Sequence, residues 1–119
     1  MADSESRTQR DELLHEVRKA AKRARYALEA VAATEGDAAT KAAARFEAVQ
    51  ELLGDHQDSV VARGVLRRLG AASRGAERNG FTFGLLHEVE HGRAAVARQE
   101  WPALAAKATA RKHVHFLQH

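Results

Sequence analysis

At 119 residues, 45 % apolar but only 5 % aromatic, the chain is sized for one small domain with an alanine-rich, lightly built core. The absence of cysteine excludes disulfides and thiolate metal sites, and a single proline with only short β-branched runs excludes a sheet-rich fold. The formal charge is +3 with all seven histidines neutral, so anion affinity is expected to rise as the imidazoles protonate. No apolar run approaches the roughly 18 residues of a membrane span, and the polar start has no signal-peptide core. A soluble cytoplasmic protein is expected.

Met1 to about Arg7 is polar and lacks core residues, so residues 1–9 are expected to be a mobile segment ahead of a helical domain at 10–119. Ser6 or Thr8 suits an N-cap, with Asp11 and Glu12 in the first turn, where the helix dipole favours acids. The first helix then runs to about Ala33 or Thr34, where Thr34-Glu35-Gly36-Asp37 breaks it. At about 100° per residue, His15, Arg18, Lys19, Lys22, Arg25, Tyr26 and Glu29 form one stripe along it. Leu13, Val17, Ala20, Ala24, Ala27, Leu28 and Val31 lie on the other side. A solvated face usually interleaves acids and bases, whereas this stripe reaches its first acid only at Glu29. Like charges so placed repel by roughly a few tenths of a kcal/mol per pair. A polyanion is the simplest reason to keep them, with an ordinary solvated basic face as the alternative.

The second helix is expected from about Asp37 to Leu53, with Ala42, Phe46, Val49 and Leu53 as its buried row and Lys41 and Arg45 on a flank. Leu52-Leu53-Gly54-Asp55 then reads as a stop and a new cap. A third helix follows from about His56 to Leu69 or Ala72, with Val61, Ala62, Val65 and Leu69 apolar and His56, Arg63 and Arg67 making a second cationic row. His56 falls in its first turn, where free N–H groups attract anions. A polar loop is expected around 73–80. A fourth helix from about Phe81 or Thr82 to Arg98 or Trp101 has Leu85, Val89 and Val96 in one row and His87, His91 and Arg98 in another. Pro102 suits the first turn of a short final helix carrying Leu104, Ala105, Ala108 and Leu117. The predicted fold is an all-α antiparallel bundle of four main helices plus that short C-terminal helix.

Two motifs carry a resemblance. His-x-x-Arg-Lys-x-x-Lys-Arg-x-Arg-Tyr-x-x-Glu (His15 to Glu29), followed one helix later by Leu-Leu-Gly-Asp-His-Gln-Asp-Ser-Val-Val-Ala-Arg (Leu52 to Arg63), is similar to the CHAD domain, the conserved-histidine α-helical domain. Gly84, His87 and Trp101 fit the same pattern, so the resemblance runs over roughly residues 10–105 and is to the family's C-terminal half. It implies a helical module that binds inorganic polyphosphate through a basic surface, without catalysis and without a cofactor. His15, Arg18, Lys19, Lys22, Arg25, Tyr26, His56, Arg63, Arg67, His87 and His91 are the expected contacts. It also implies a tunnel-fold triphosphatase as a partner and polyphosphate granules as a location. Full-length members resemble two related bundles around a basic pore, and this chain is expected to supply about one. A second copy, a first-half bundle from a partner, or a shallow solitary site follows from that.

Competing chemistry is limited. His87-Glu88-Val89-Glu90-His91 matches His-Glu-x-x-His literally and would make a metal-dependent hydrolase, but no third ligand is evident, so no metal site is expected. Asp55 and Asp58 read as caps or as partners of nearby cations, not as catalytic acids. A nucleic-acid-binding module is disfavoured because Tyr26 is the one exposed aromatic candidate for base stacking. A purely dimerising element is the remaining alternative. His113, His115 and His119 are expected on the surface.

Overall fold

The computed structural model describes residues 2–72 and 77–117. In order they form α1 (Ala2–Glu35), α2 (Asp37–Ala72), α3 (Glu77–Thr109), α4 (Arg111–Val114) and a 3₁₀ turn (His115–Leu117), so the described chain is all helical. Three of these helices are long and one is short. Two of the expected boundaries are therefore absent. Gly54-Asp55 does not end a helix, and Pro102 lies inside α3 and starts nothing. The chain's first turns also differ from expectation, because α1 begins at Ala2, ahead of Ser6 and Thr8. Of the expected loop, residues 73–76 lie outside the described residues, while 77–80 are already in α3.

The heptad spacing of α2 explains its continuity. Ala42, Val49, His56 and Arg63 recur every seven residues, and Phe46, Leu53, Val60 and Arg67 do the same four residues later. This seam passes through Gly54 without a change of phase, so the packing holds the helix across a residue whose intrinsic helix cost is only about 1 kcal/mol. Gly54 has a different use. A β-carbon there would stand 3.4 Å from Nε of Arg18, so the bare backbone leaves room for the Arg18 guanidinium to lie across α2. Pro102 removes one helical hydrogen bond at an exposed position. Trp101, Leu104, Ala105 and Ala108 on either side of it are packed into the core and carry α3 past the gap.

The break that does occur is at Gly36, whose φ of 65° lies in the left-handed region. Its N–H donates to the Ala32 carbonyl at 2.7 Å, and its own carbonyl accepts from the Thr40 N–H and hydroxyl at 3.2 and 3.3 Å. One residue thus turns α1 back along α2. Both α1 and α3 pack along α2, giving a slab of 65 × 29 × 17 Å. Near the turn Leu28, Ala42 and Ala43 form a small core that Phe46 and Phe116 adjoin. Further along, Leu14, Ala21, Val49, Leu53 and Ala108 form the main core, with Val17, Trp101, Leu104 and Ala105 against it.

On α1 the buried row is Leu14, Ala21 and Leu28, a strict seven-residue repeat. Leu13 and Val31, expected on the core side, are exposed at 65 % and 39 %. The helix therefore has three longitudinal zones: a buried seam, a basic flank on one side of it, and an exposed apolar flank on the other. α3 repeats the arrangement. Its row of Leu85, Val89 and Val96 is exposed, while Ala94, Ala97 and Ala108 are buried.

Candidate functional site

The seam of α2 changes character halfway along. Ala42, Phe46, Val49 and Leu53 are apolar, and the next seam positions are His56, Val60, Arg63 and Arg67. The seam of α1, followed back from Leu28 through Ala21 and Leu14, likewise arrives at Asp11 and Arg7. At this end the helices bring charged side chains together where the rest of the slab has core. Arg7, Thr8, Arg10 and Asp11 of α1 and Val60, Arg63 and Arg67 of α2 line a cleft of about 350 Å³. Asp11 is the one carboxylate among those residues, against four arginines.

His56 sits under this cleft, 1 % exposed, between all three long helices. Its Nε2 is 3.6 Å from Oδ1 of Asp11 and 3.4 Å from Nη1 of Arg98. A guanidinium only donates, so Nε2 accepts from Arg98 and the ring proton belongs on Nδ1, the neutral imidazole. Burial pushes the His56 pKa down, Asp11 opposes that, and Arg98, Arg10 and Arg63 reinforce it. Arg98 is itself lowered, by burial first and then by Arg10 and Arg63. Arg10 donates from Nε and Nη2 to the same Asp11 oxygen, at 3.3 and 3.2 Å. One carboxylate oxygen thus pairs with Arg10 and lies against the edge of the neutral His56 ring.

The cleft extends onto α3. Nη1 of Arg63 donates to Nδ1 of His91 at 3.2 Å, which again requires a neutral acceptor nitrogen. The Nε of Arg63 is buried without a hydrogen-bond partner. Arg67 lines both the first cleft and a neighbouring cavity of about 390 Å³ with Leu66, Gly70, Phe83, Gly84, His87 and Glu88. His87 therefore opens onto the adjoining cavity, with its Nε2 buried and unpartnered. Among the described residues no three His, Asp or Glu side chains converge as a metal site, so His87, Glu88 and His91 gain no third ligand.

The first-helix stripe is placed elsewhere and is partly neutralised. Nζ of Lys19 is 2.8 Å from Glu16, whose carboxyl is drawn below its ordinary range first by that hydrogen bond. Arg25 is 3.2 Å from Glu29 and 4.0 Å from Glu47 of α2. Arg25 and Lys22 also lie over the Tyr26 ring, at 4.7 and 5.8 Å from its centroid, so that ring is already a platform for cations. Arg18 crosses α2 at Gly54, and His15 opens onto a cavity it shares with Glu12, Leu13 and Glu16. Of the residues singled out from the sequence, His56, Arg63, Arg67 and His91 are brought together, with His87 next door. Sequence reading missed Arg7, Arg10 and Asp11 as members. Their signal was the seven-residue row Leu28, Ala21, Leu14, which continues backward to Arg7.

The model of the family described as the CHAD domain matches residues 2–67, more than half of the chain. The chain belongs to the CHAD family. The matched stretch contains α1 and nearly all of α2, and with them every residue that lines the arginine cleft. It also reaches back over the first turns that were expected to precede the domain. Two uncharacterized proteins of Mycobacterium tuberculosis, from different strains, are each 43 % identical over 98 residues, which is 82 % of this chain. That region is 18 % of each relative, so this CHAD chain spans less than a fifth of the length of the curated relatives it matches. No solved structure matches it significantly. No helix among the described residues is long and apolar enough to cross a membrane.

Proposed function

We propose that this CHAD chain is a non-catalytic module that holds inorganic polyphosphate in the arginine cleft between α1 and α2. The observation that carries this reading is the convergence of Arg7, Arg10, Arg63 and Arg67 around a single carboxylate, Asp11. A polyphosphate chain has charge at every unit and no base to be read, so its receptor needs a row of donors and no shaped pocket. Forked guanidinium groups can each take two phosphate oxygens. Arg63 and Arg67 are about one turn apart on α2, about 6 Å in rise, and Arg7 and Arg10 are about 4.5 Å apart in rise on the facing helix. The open polymer threads between two such rows, and Arg98 with the neutral His56 beneath keeps the arginines apart and directed outward. The basic flank of α1 (Arg18, Lys19, Lys22 and Arg25) prolongs the track with weaker, partly paired cations.

The exposed apolar flanks that include Leu13 on α1 and Leu85, Val89 and Val96 on α3 seat a second CHAD bundle, supplied by a second copy of the chain or by a first-half bundle. Light scattering with and without polyphosphate tests that part separately. Binding itself is tested by titrating the chain with long-chain polyphosphate and then with RNA at equal phosphate concentration. The expected result is salt-sensitive binding that polyphosphate wins. Equal binding by an Arg63→Gln/Arg67→Gln variant would remove the cleft from the reading, and preference for RNA would replace polyphosphate with nucleic acid.

A further inference from the structure

At the other end of the slab the C-terminal segment folds back over the start of α2. Phe116 anchors it by packing against the Leu28, Ala42 and Ala43 core. Around that anchor Lys41 and Arg45 of α2 meet Lys112, His113 and His115, with Ala38 and Phe116 as apolar floor, in a cavity of about 280 Å³. Among the described residues, none that lines this cavity is a carboxylate. Among the described residues Lys41, Arg45 and Lys112 form no ion pair, unlike Lys19 and Arg25 on the flank of α1.

The two imidazoles are set up in the same way. Nδ1 of His113 donates to the Lys107 carbonyl at 2.7 Å, and Nδ1 of His115 donates to the Lys112 carbonyl at 3.2 Å. A carbonyl only accepts, so each ring carries its proton on Nδ1 and keeps Nε2 for another partner. An anion at Nε2 favours protonation there and gains a donor without breaking the existing bond. Three fixed cations and two such rings thus converge from segments about seventy residues apart in sequence, with no carboxylate among the described lining residues.

We infer that this cavity is a second anion site, distinct from the arginine cleft, and that it takes a compact multivalent phosphoryl anion of the pyrophosphate class. Its volume of about 280 Å³ is smaller than the roughly 350 Å³ of the cleft, and its cations gather around one point where the cleft has two facing rows, which suits a short anion. The fork of Arg45 takes two oxygens of one phosphoryl group, and Lys41 and Lys112 neutralise the remaining charge. The two sites are separate. Arg45 and Arg63 are eighteen residues apart on one helix, about 27 Å along its axis, with the main core between them. This second site stands whether or not the cleft binds polyphosphate.

The test is a calorimetric titration of the full chain with inorganic pyrophosphate, paired with NMR of the histidine rings. Pyrophosphate is expected to move the ring signals of His113 and His115. A Lys41→Gln/Arg45→Gln variant is expected to bind it at least about tenfold more weakly, as two lost charge-assisted contacts require. Arg63→Gln/Arg67→Gln should retain those ring shifts. Circular dichroism checks that helicity is kept, and Lys112→Gln, on the short α4, gives an independent reading if the α2 variant loses helix. Pyrophosphate that moves only the His91 ring, or a Lys41/Arg45 variant that binds as tightly as the parent, overturns the site.

Discussion

On the flank of α1, Lys19 is held 2.8 Å from Glu16 and Arg25 3.2 Å from Glu29, both pairs within one helix. In the cleft, Arg7, Arg10, Arg63 and Arg67 arrive from two helices and find Asp11 alone among the lining carboxylates. The two regions look alike when cations are counted along the sequence. They differ in what neutralises them. A residue three or four positions away on a helix is always within reach, so an acid such as Glu16 or Glu29 quenches a stripe locally. In the cleft Arg10 has such a neighbour in Asp11, whereas Arg63 and Arg67 arrive on α2 without one. Among the described residues Arg63 and Arg67 form no ion pair, and they sit where the heptad seam of α2 stops being apolar.

The comparison is broken most directly by removing cations from one region at a time. Arg63→Gln with Arg67→Gln should weaken long-chain polyphosphate about a thousandfold, taking about 2 kcal/mol for each charge-assisted contact. The same variant should flatten the plot of log affinity against log salt by about one unit or more. An unchanged salt slope would show that these arginines do not touch the polymer. Next in size is Gly54→Leu, which drives a side chain into the Arg18 guanidinium and should cost about 2 kcal/mol in urea denaturation. Gly54→Ala, whose β-carbon meets Arg18 at an ordinary contact distance of 3.4 Å, should be neutral or stabilising. If alanine costs as much as leucine, Gly54 has some use other than making room.

His56 supplies a pH-dependent contrast. Burial holds its pKa below the ordinary imidazole range, so the folded chain binds this proton less readily than the unfolded one. The contribution to stability is fully present above the unfolded value near pH 6.5 and is lost as pH falls below it toward the lowered folded value. His56→Gln should therefore lose less thermal stability than the parent between pH 7.5 and 5, which melting curves at each pH will show. Parallel losses in both proteins would assign the acid sensitivity to another group. The smallest effect is expected for Lys19→Gln with Lys22→Gln on the flank, about threefold or less in polyphosphate affinity, because exposed lysines contribute little and Lys19 is already paired with Glu16. A loss comparable to that of the cleft variant would reverse the ranking of the two regions.

Much of this was legible from the residues alone. The all-α class followed from composition, the turn at Gly36 from its neighbours, and the family from the two motifs at His15 to Glu29 and Leu52 to Arg63. Leu52-Leu53-Gly54-Asp55 reads as a stop because glycine followed by aspartate is strong local punctuation, yet the heptad continues through it to Arg67 and the packing it brings keeps the helix intact. Pro102 misled for the same reason. The zones of α1 were shifted because Leu13 and Leu14 are adjacent, and either one can head an apolar row. Only the partner helix decides that Leu14 is buried and Leu13 is not. Arg7 and Arg10 carry no local signal, since a polar segment has no core residues to announce it, and the same absence is what makes the cleft.

That absence has a consequence for local opening. From Leu13 back through residue 5, no described side chain of α1 is buried, so the first turns of the helix rest on α2 through Arg10, Asp11, Thr8 and the arginines opposite. Segments held by polar contacts alone open at the low end of a protein's free-energy scale and exchange their amide hydrogens quickly. An anion seated among these arginines takes the part that leucine and alanine play farther along the same seam. Occupancy should then be read out as slowed exchange in the opening turns of α1, with the amides around Ala21 and Leu28 unchanged.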